Sequence, residues 1–216
     1  RLGGHPVPVC VPLEDGRVID LVNREIVSFG GDRGLLVTRG PVPDDLQGLL
    51  GRYRESMLLA AAEFDEVVEE AVMMDEEVDA ESIWRALRKG VMAGKAHAFF
   101  GGSALRNWGV QPLLDAVLKL LPNPLERPPA IAHKVVDGAR GDEVFIDMTP
   151  DGPLTALAFK VQLWDGRRHV FIRIYRGQLN AGDLVRLGGR GEVERVARIF
   201  QIDGGHKTKV ESATAG

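Results

Sequence analysis

Phe99-Phe100-Gly101-Gly102-Ser103-Ala104-Leu105-Arg106-Asn107-Trp108-Gly109-Val110-Gln111-Pro112-Leu113-Leu114-Asp115-Ala116-Val117 decides how this chain is read. An apolar run ends in two glycines, a small-residue loop follows, and a helical pattern begins. The run before Gly101 suits a strand covered on both faces, as in a parallel sheet. Gly101, Gly102, Ser103 and Ala104 have almost no side chain, so a flat ligand can reach bare backbone N–H groups. Pro112 fits the first turn of a helix, where its missing N–H costs nothing. Leu113, Leu114, Val117, Leu118 and Leu121 mark one helical face. Spacing alone is equally met by an ordinary strand–helix turn with no ligand.

The rest of the composition bounds the answer. With 216 residues, 44% hydrophobic and 27% charged, the chain can bury one large core or two smaller ones. No apolar run is long enough to cross a bilayer, so no membrane association is expected. The start carries prolines and glycines rather than a basic region followed by an apolar core, so no leader is expected. It begins at Arg1 instead of Met, as a fragment or processed form would. Cys10 is the sole cysteine. An internal disulfide is excluded, which fits a reducing, cytoplasmic compartment. The net charge of −4 conceals an asymmetry. Asp44 to Ser82 carries thirteen acidic residues against Arg52 and Arg54, a net of −11. Pro153 to Gly216 carries eleven basic against six acidic residues, a net of +5. Two modules with different partners would show this split, as would two solvated faces.

Along the chain, residues up to about Gly40 read as short strands. Val7, Val9, Val11 and Leu13 alternate with Pro8, Cys10 and Pro12, and prolines cannot donate to a ladder, so the first strand is expected at an edge or as an extended arm. Pro43-Asp44-Asp45 opens a long amphipathic helix expected to last to about Met73, its first turns weakened by Gly48 and Gly51 by roughly 1 kcal/mol each. Glu63, Asp65, Glu66, Glu69 and Glu70 would form its exposed acidic side. A second helix starts after Asp79 and is expected to stop at Gly90, behind Arg88 and Lys89. Pro122, Pro124, Pro128 and Pro129 make a stiff linker, and Val135 to Met148 reads as a loosely attached crossing segment. From Pro153 onward the signal is all β. Leu154–Trp164, His169–Tyr175 and Glu192–Ile202 are strands, Asp165-Gly166 a turn, and the even spacing predicts a small barrel.

Gly102-Ser103-Ala104-Leu105, Asn107 and Gly109 to Val117 resemble the last guanine-binding motif and final helix of the G domain in translation elongation factor G. Ile19-Asp20-Leu21 and Arg88-Lys89-Gly90 also match that family. So do Leu157 to Lys160, Phe171 to Gly177, Gly182-Asp183 and Glu194 to Ile199, which resemble its second domain, a barrel shared by translational GTPases. The resemblance implies an α/β fold, namely a mixed α/β insert plus the C-terminal strand and helix of a P-loop GTPase domain, followed by an antiparallel β-barrel. It divides the chain into an insert (1–94), the end of the G domain (95–122), a linker or crossing segment (123–152) and a truncated barrel (153–216). The implied parent is a ribosomal translocase that hydrolyses GTP with Mg²⁺ in protein synthesis.

By that resemblance Ser103, Ala104 and Leu105 bind guanine. The Ala104 N–H would donate to the base oxygen, and Ser103 would orient an upstream aspartate. The family carries its phosphate loop, switch segments and Asn-Lys-x-Asp reader upstream of position 1, so GTP or GDP and Mg²⁺ belong to the parent. This fragment is expected to hold no catalytic residue, no metal and no tight nucleotide site. Gly90-Val91-Met92-Ala93-Gly94-Lys95-Ala96 is no substitute phosphate loop, because its spacing is short and Ala96 replaces the Mg²⁺-binding Ser or Thr. Trp108 stands where the family usually has lysine, and Gln201 to His206 departs from the usual loop.

The barrel would contact small-subunit ribosomal RNA through arginines such as Arg173, Arg176, Arg195 and Arg198, with Arg168, Arg186 and Arg190 also available. The acidic helix would suit the large-subunit stalk. His5, His97, His133, His169 and His206 lack metal-ligand spacing. Two alternatives stay open at this stage: a non-enzymatic ribosome- or RNA-binding module with a basic barrel and an acidic helix, and a divergent paralogue without translocase activity.

Overall fold

The computed structural model describes residues 5–164, 166–188 and 191–216. The turn expected at Asp165 and the candidate Arg190 lie outside them. The chain divides into two units, one ending at Pro122 and the other starting at Asn123.

In the first unit, strands β1 (His5–Pro12), β2 (Val18–Asp20), β3 (Glu25–Gly30), β4 (Leu36–Pro41) and β5 (Ala96–Phe100) form one sheet in the order β4-β3-β2-β1-β5. The first four run as an antiparallel meander, and β5 returns parallel to β1. Helices α1 (Gln47–Ala62), α2 (Glu66–Met73) and α3 (Ala80–Met92) lie between β4 and β5, and α4 (Val110–Leu120) follows β5. Helix α1 packs on β1, and α3 packs on β5 and α4. Ile19, Leu21, Met57, Ile83 and Leu87 are fully buried where these layers meet, which is the burial an apolar helical stripe on a sheet should achieve.

Four expectations change. Strand β1 is interior, not an edge, and Val7 and Val9 are buried. Its prolines are tolerated because β5 pairs along His5–Cys10 while β2 joins only at Cys10–Pro12. Pro6 and Pro8 therefore lie where just one side of the strand is paired. Strand β5 is parallel but sits at the sheet edge, with His97 and Phe99 exposed rather than covered. The long helix breaks at Asp65, whose carboxylate caps α2 by accepting the Val67 N–H at 3.2 Å. Asp65 is thus buried, not part of the exposed acidic side. Finally, α3 runs through Gly90 to Met92. Gly90 is a packing residue: a Cβ there would come within 2.7 Å of the Phe64 ring and 2.8 Å of Ala96 Cβ.

The second unit is all β. Its strands pair two by two: β6 (Ala130–Val136) with β7 (Ala139–Ile146), β8 (Thr155–Trp164) with β9 (Arg167–Arg176), β10 (Gln178–Asn180) with β15 (Ser212–Thr214), β11 (Leu184–Arg186) with β12 (Val193–Arg195), and β13 (Ile199–Asp203) with β14 (His206–Val210). Among the described residues no ladder joins these pairs into a closed barrel. The expected crossing segment contains most of the β6–β7 hairpin, closed by Asp137-Gly138 with both residues at positive φ, the two-residue turn that matches strand twist. The strand expected over Glu192–Ile202 is split between β12 and β13. Ile174, Leu179 and Ile199 are buried together, with Leu154, Val185 and Val196 against them.

Candidate functional site

Between β5 and α4 the chain makes a 3-10 turn at Ala104–Arg106, entered from extended Ser103 and left through Asn107 in the left-handed region. The loop spends most of its own donors. Ser103 and Trp108 exchange backbone hydrogen bonds at 2.8 and 3.0 Å, the Arg106 N–H donates to the Ser103 carbonyl at 3.1 Å, and the Asn107 N–H donates to the Ala104 carbonyl at 3.1 Å. The N–H groups of Ala104 and Leu105 find no acceptor among the described residues. Both residues are exposed, Leu105 at 97%. These are the orphan donors that any helical first turn leaves over, here at the outer positions of an open loop. Ser103 is half-buried, and its side chain does not cap the turn.

The loop is braced from below by the N-terminal hairpin turns. Trp108 is half-buried, and its ring lies so close to Gly16 that a Cβ there would fall inside its van der Waals surface. The turn at Gly34 packs against the same loop: a Cβ there would sit 2.8 Å from the Arg106 carbonyl oxygen and 3.2 Å from Trp108 Cδ1. Gln111 Nε2 donates to the Gly34 carbonyl at 3.3 Å. The Arg106 guanidinium covers the indole at 4.7 Å, a cation–π contact. A cleft of about 220 Å³ runs beside this brace, lined by Leu13, Glu14, Arg17, Ser103, Arg106 and Trp108 among others. The sequence pointed to Ser103, Ala104 and Leu105; the bracing residues Gly16, Gly34 and Gln111 carry no local signal, since the contacts that matter join segments distant in sequence.

Two buried carboxylates fix the scaffold. Asp20 accepts the backbone N–H groups of Val22 and Asn23 at 3.0 Å each and Arg39 Nη1 at 3.2 Å. Arg39 also reaches Asp115 on α4 at 3.9 Å. Asp65 accepts Arg85 Nε at 3.0 Å and Lys89 Nζ at 2.7 Å from α3. Hydrogen bonds from Arg85 first, and then from Lys89, hold its carboxyl well below the usual carboxylate range despite burial. Burial, with the Asp20 charge behind it, pushes the Cys10 thiol up to about 12, leaving it inert as a nucleophile. Glu63, Glu66, Glu69, Glu70, Asp75 and Glu76 remain exposed beside Val67, Met73 and Met74. Trp84 and Trp164 are half-buried, each under a lysine.

The candidate RNA-contacting arginines fall on separate strand pairs. Arg173 on β9, Arg195 on β12 and Arg198 before β13 are exposed, and among the described residues none of them forms an ion pair. Arg176 differs: it is half-buried, and its Nε donates to the Asp151 carbonyl at 3.2 Å, over Gly152. No group of three or more His, Cys, Asp or Glu able to hold a metal ion gathers among the described residues, and no described helix is long and apolar enough to cross a membrane.

No protein-family model matches the chain. Elongation factor G 1 of Geobacter sulfurreducens is 40% identical over 221 aligned residues, which cover 100% of this chain and 32% of that protein. Elongation factor G 2 of Geobacter metallireducens is 38% identical over the same coverage. A crystal structure from Thermus thermophilus superimposes with a TM-score of 0.70 at 26% identity, over 98% of this chain and 29% of its own. The chain spans about a third of the length of the curated relatives it matches, and the resemblance to elongation factor G runs through all of it.

Proposed function

We propose that this chain is the middle of an elongation factor G-type translational GTPase, a cytoplasmic factor that binds GTP and promotes tRNA and mRNA movement on the ribosome. It would comprise the G-domain insert (1–94), the end of the G domain (95–122), a crossing segment (123–152) and most of a β-barrel (153–216). The observation that carries this reading is the pair of unspent N–H donors on Ala104 and Leu105, in a Ser-Ala-Leu turn whose surroundings match elongation factor G. A carbonyl oxygen such as that of guanine satisfies a fixed N–H, whereas the amino group of adenine would face it donor to donor. Ser103, with its side chain uncommitted to the turn, would orient an aspartate from the base reader of the parent.

This loop sets which base is accepted; it supplies neither phosphate binding nor hydrolysis. Mg²⁺ would be held by a hydroxyl and a carboxylate of the parent's phosphate-binding half, where it neutralises phosphate charge. The described residues do not fit that role, since they offer no clustered oxygen ligands, and no hydrolytic step passes through them. Exposed apolar side chains support membership of larger domains: Leu114, Leu118 and Leu121 on and just after α4, and Leu157, Phe159, Val161 and Leu163 along β8. The latter would turn inward when further strands complete the barrel.

The exposed carboxylates of α2, interleaved with Val67, Met73 and Met74, fit a protein partner with a basic, partly apolar surface, which on this reading is the ribosomal stalk. Arg173, Arg195 and Arg198 are the cations available to phosphates of small-subunit RNA. The first test is the reading frame around the chain. A phosphate loop and an Asn-Lys-x-Asp motif encoded in frame before Arg1 are the expected result; a frame that opens immediately before Arg1 would sink the GTPase reading in favour of a binding module.

A further inference from the structure

We propose that Trp108 is a positioning residue for the guanine-reading amide, coupling the insert to base recognition. The proposal rests on the guanine-loop reading above and goes beyond it, because the Ser-Ala-Leu turn is held by a residue outside the motif. Trp108 returns both backbone hydrogen bonds to Ser103, at 2.8 and 3.0 Å, which closes the loop on which Ala104 sits. Two residues pack on its side chain. The ring rests on Gly16, in the turn between β1 and β2, at a distance that excludes any Cβ. Arg106 covers the ring at 4.7 Å. A Cβ built on Gly34, in the turn before β4, would meet the Arg106 and Asn107 carbonyls and Trp108 Cδ1 within 3.3 Å.

The backbone of Ser103–Trp108 is therefore held to two turns of the insert by one aromatic side chain. Free rotation of the loop would aim the Ala104 N–H away from a fixed base plane, and a hydrogen bond weakens steeply with misalignment. The indole acts on the ligand only through that backbone. A lysine at this position could not fill the contact with Gly16, so this chain fixes its loop by packing where an extended side chain would leave it freer.

The test uses the full-length protein that contains this chain. GDP is titrated against the diphosphate of 2-aminopurine riboside, which lacks the base oxygen that Ala104 would bind. Trp108→Ala is expected to weaken GDP about tenfold, the fold-change of one neutral hydrogen bond, and to leave the analogue unchanged. Trp108→Phe should restore most of the preference, and Gly16→Ala, whose added methyl displaces the ring, should reproduce the loss. Thermal melts of each variant check that it folds. Equal weakening of both nucleotides, or an unchanged GDP affinity in folded Trp108→Ala, overturns the positioning role while leaving the guanine-loop reading intact. If the wild-type protein itself fails to prefer GDP over the analogue, both readings fall.

Discussion

The two units of this chain use the same ingredients to different ends. The first buries Ile19, Leu21, Met57, Ile83 and Leu87 completely, between a five-stranded sheet and its helices. In the second, Ile174, Leu179 and Ile199 are the buried hydrophobics among the described residues, and Leu157, Phe159, Val161 and Leu163 stay exposed along a ten-residue strand. A sheet meander plus helices can close a core from local pieces. Hairpins paired two by two cannot, because the apolar side chains of a two-stranded ribbon need a further layer to cover them. The first unit should therefore carry most of the chain's stability, and the second should depend on what surrounds it.

Core truncations offer the sharpest way to break that comparison. Leu87→Ala should cost about 3–4 kcal/mol, since a fully buried leucine leaves a cavity that rigid surroundings cannot fill. Ile199→Ala should cost roughly 1–2 kcal/mol, because a small cluster collapses more easily. Chemical denaturation followed by tryptophan fluorescence measures both; equal costs would contradict the asymmetry.

Next in size is Asp65→Ala, expected to lose about 2 kcal/mol through the α2 cap and the charge-assisted bonds to Arg85 and Lys89. The pH dependence has a fixed sign. The folded-state pKa of Asp65 is depressed, so its contribution is fully present above the unfolded carboxylate value near about 4 and is lost as pH falls through the folded value. Asp65→Asn should accordingly flatten the fall in melting temperature below about pH 4; a slope unchanged from wild type would show that the ion pairs do not stabilise α2. Cys10 gives a probe of the same core. With its thiol pushed up to about 12 and its side chain buried, it should resist iodoacetamide at about pH 8 in the folded protein and react fully in denaturant.

How much of this was legible in the sequence depends on whether a signal is local. The α4 start at Val110, with Pro112 in its first turn, and the Asp79 cap of α3 follow from neighbouring residues, and both are observed. The Asp137-Gly138 turn was equally local, yet the turn-rich stretch around it read as a loosely attached crossing segment rather than a hairpin. Gly90 sent the wrong signal, because a glycine that lets Phe64 approach looks in sequence like one that ends a helix. The break at Asp65 has a local cap to Val67, but the burial of its carboxylate was hidden, since Arg85 and Lys89 reach it from twenty and twenty-four residues away. At the candidate site the Ser-Ala-Leu turn was readable by resemblance, whereas the brace from Gly16 and Gly34 exists only after the meander folds. Whether the hairpins close into a barrel depends on pairings that the alternation of side chains does not specify.

The smallest expected effect belongs to the basic strands of the second unit. Arg173→Ala or Arg195→Ala should weaken binding to small-subunit ribosomal RNA about two- to fivefold and lower the salt slope by about one. Arg176→Ala should act more on stability than on RNA, because its guanidinium is already committed to the Asp151 carbonyl. Filter binding across a salt series distinguishes the two. Salt-independent association, or a dominant role for Arg176, would reverse the assignment.

The most direct measurement is a calorimetric titration of GDP and ADP into both the 216-residue chain and the longer protein that contains it. Micromolar or tighter GDP binding with no ADP binding is expected for the longer protein, and no measurable binding of either for the chain alone, if the Ser103–Leu105 loop supplies one wall of a guanine pocket as proposed. Micromolar GDP affinity in the isolated chain, or a longer protein indifferent to the base, would contradict it.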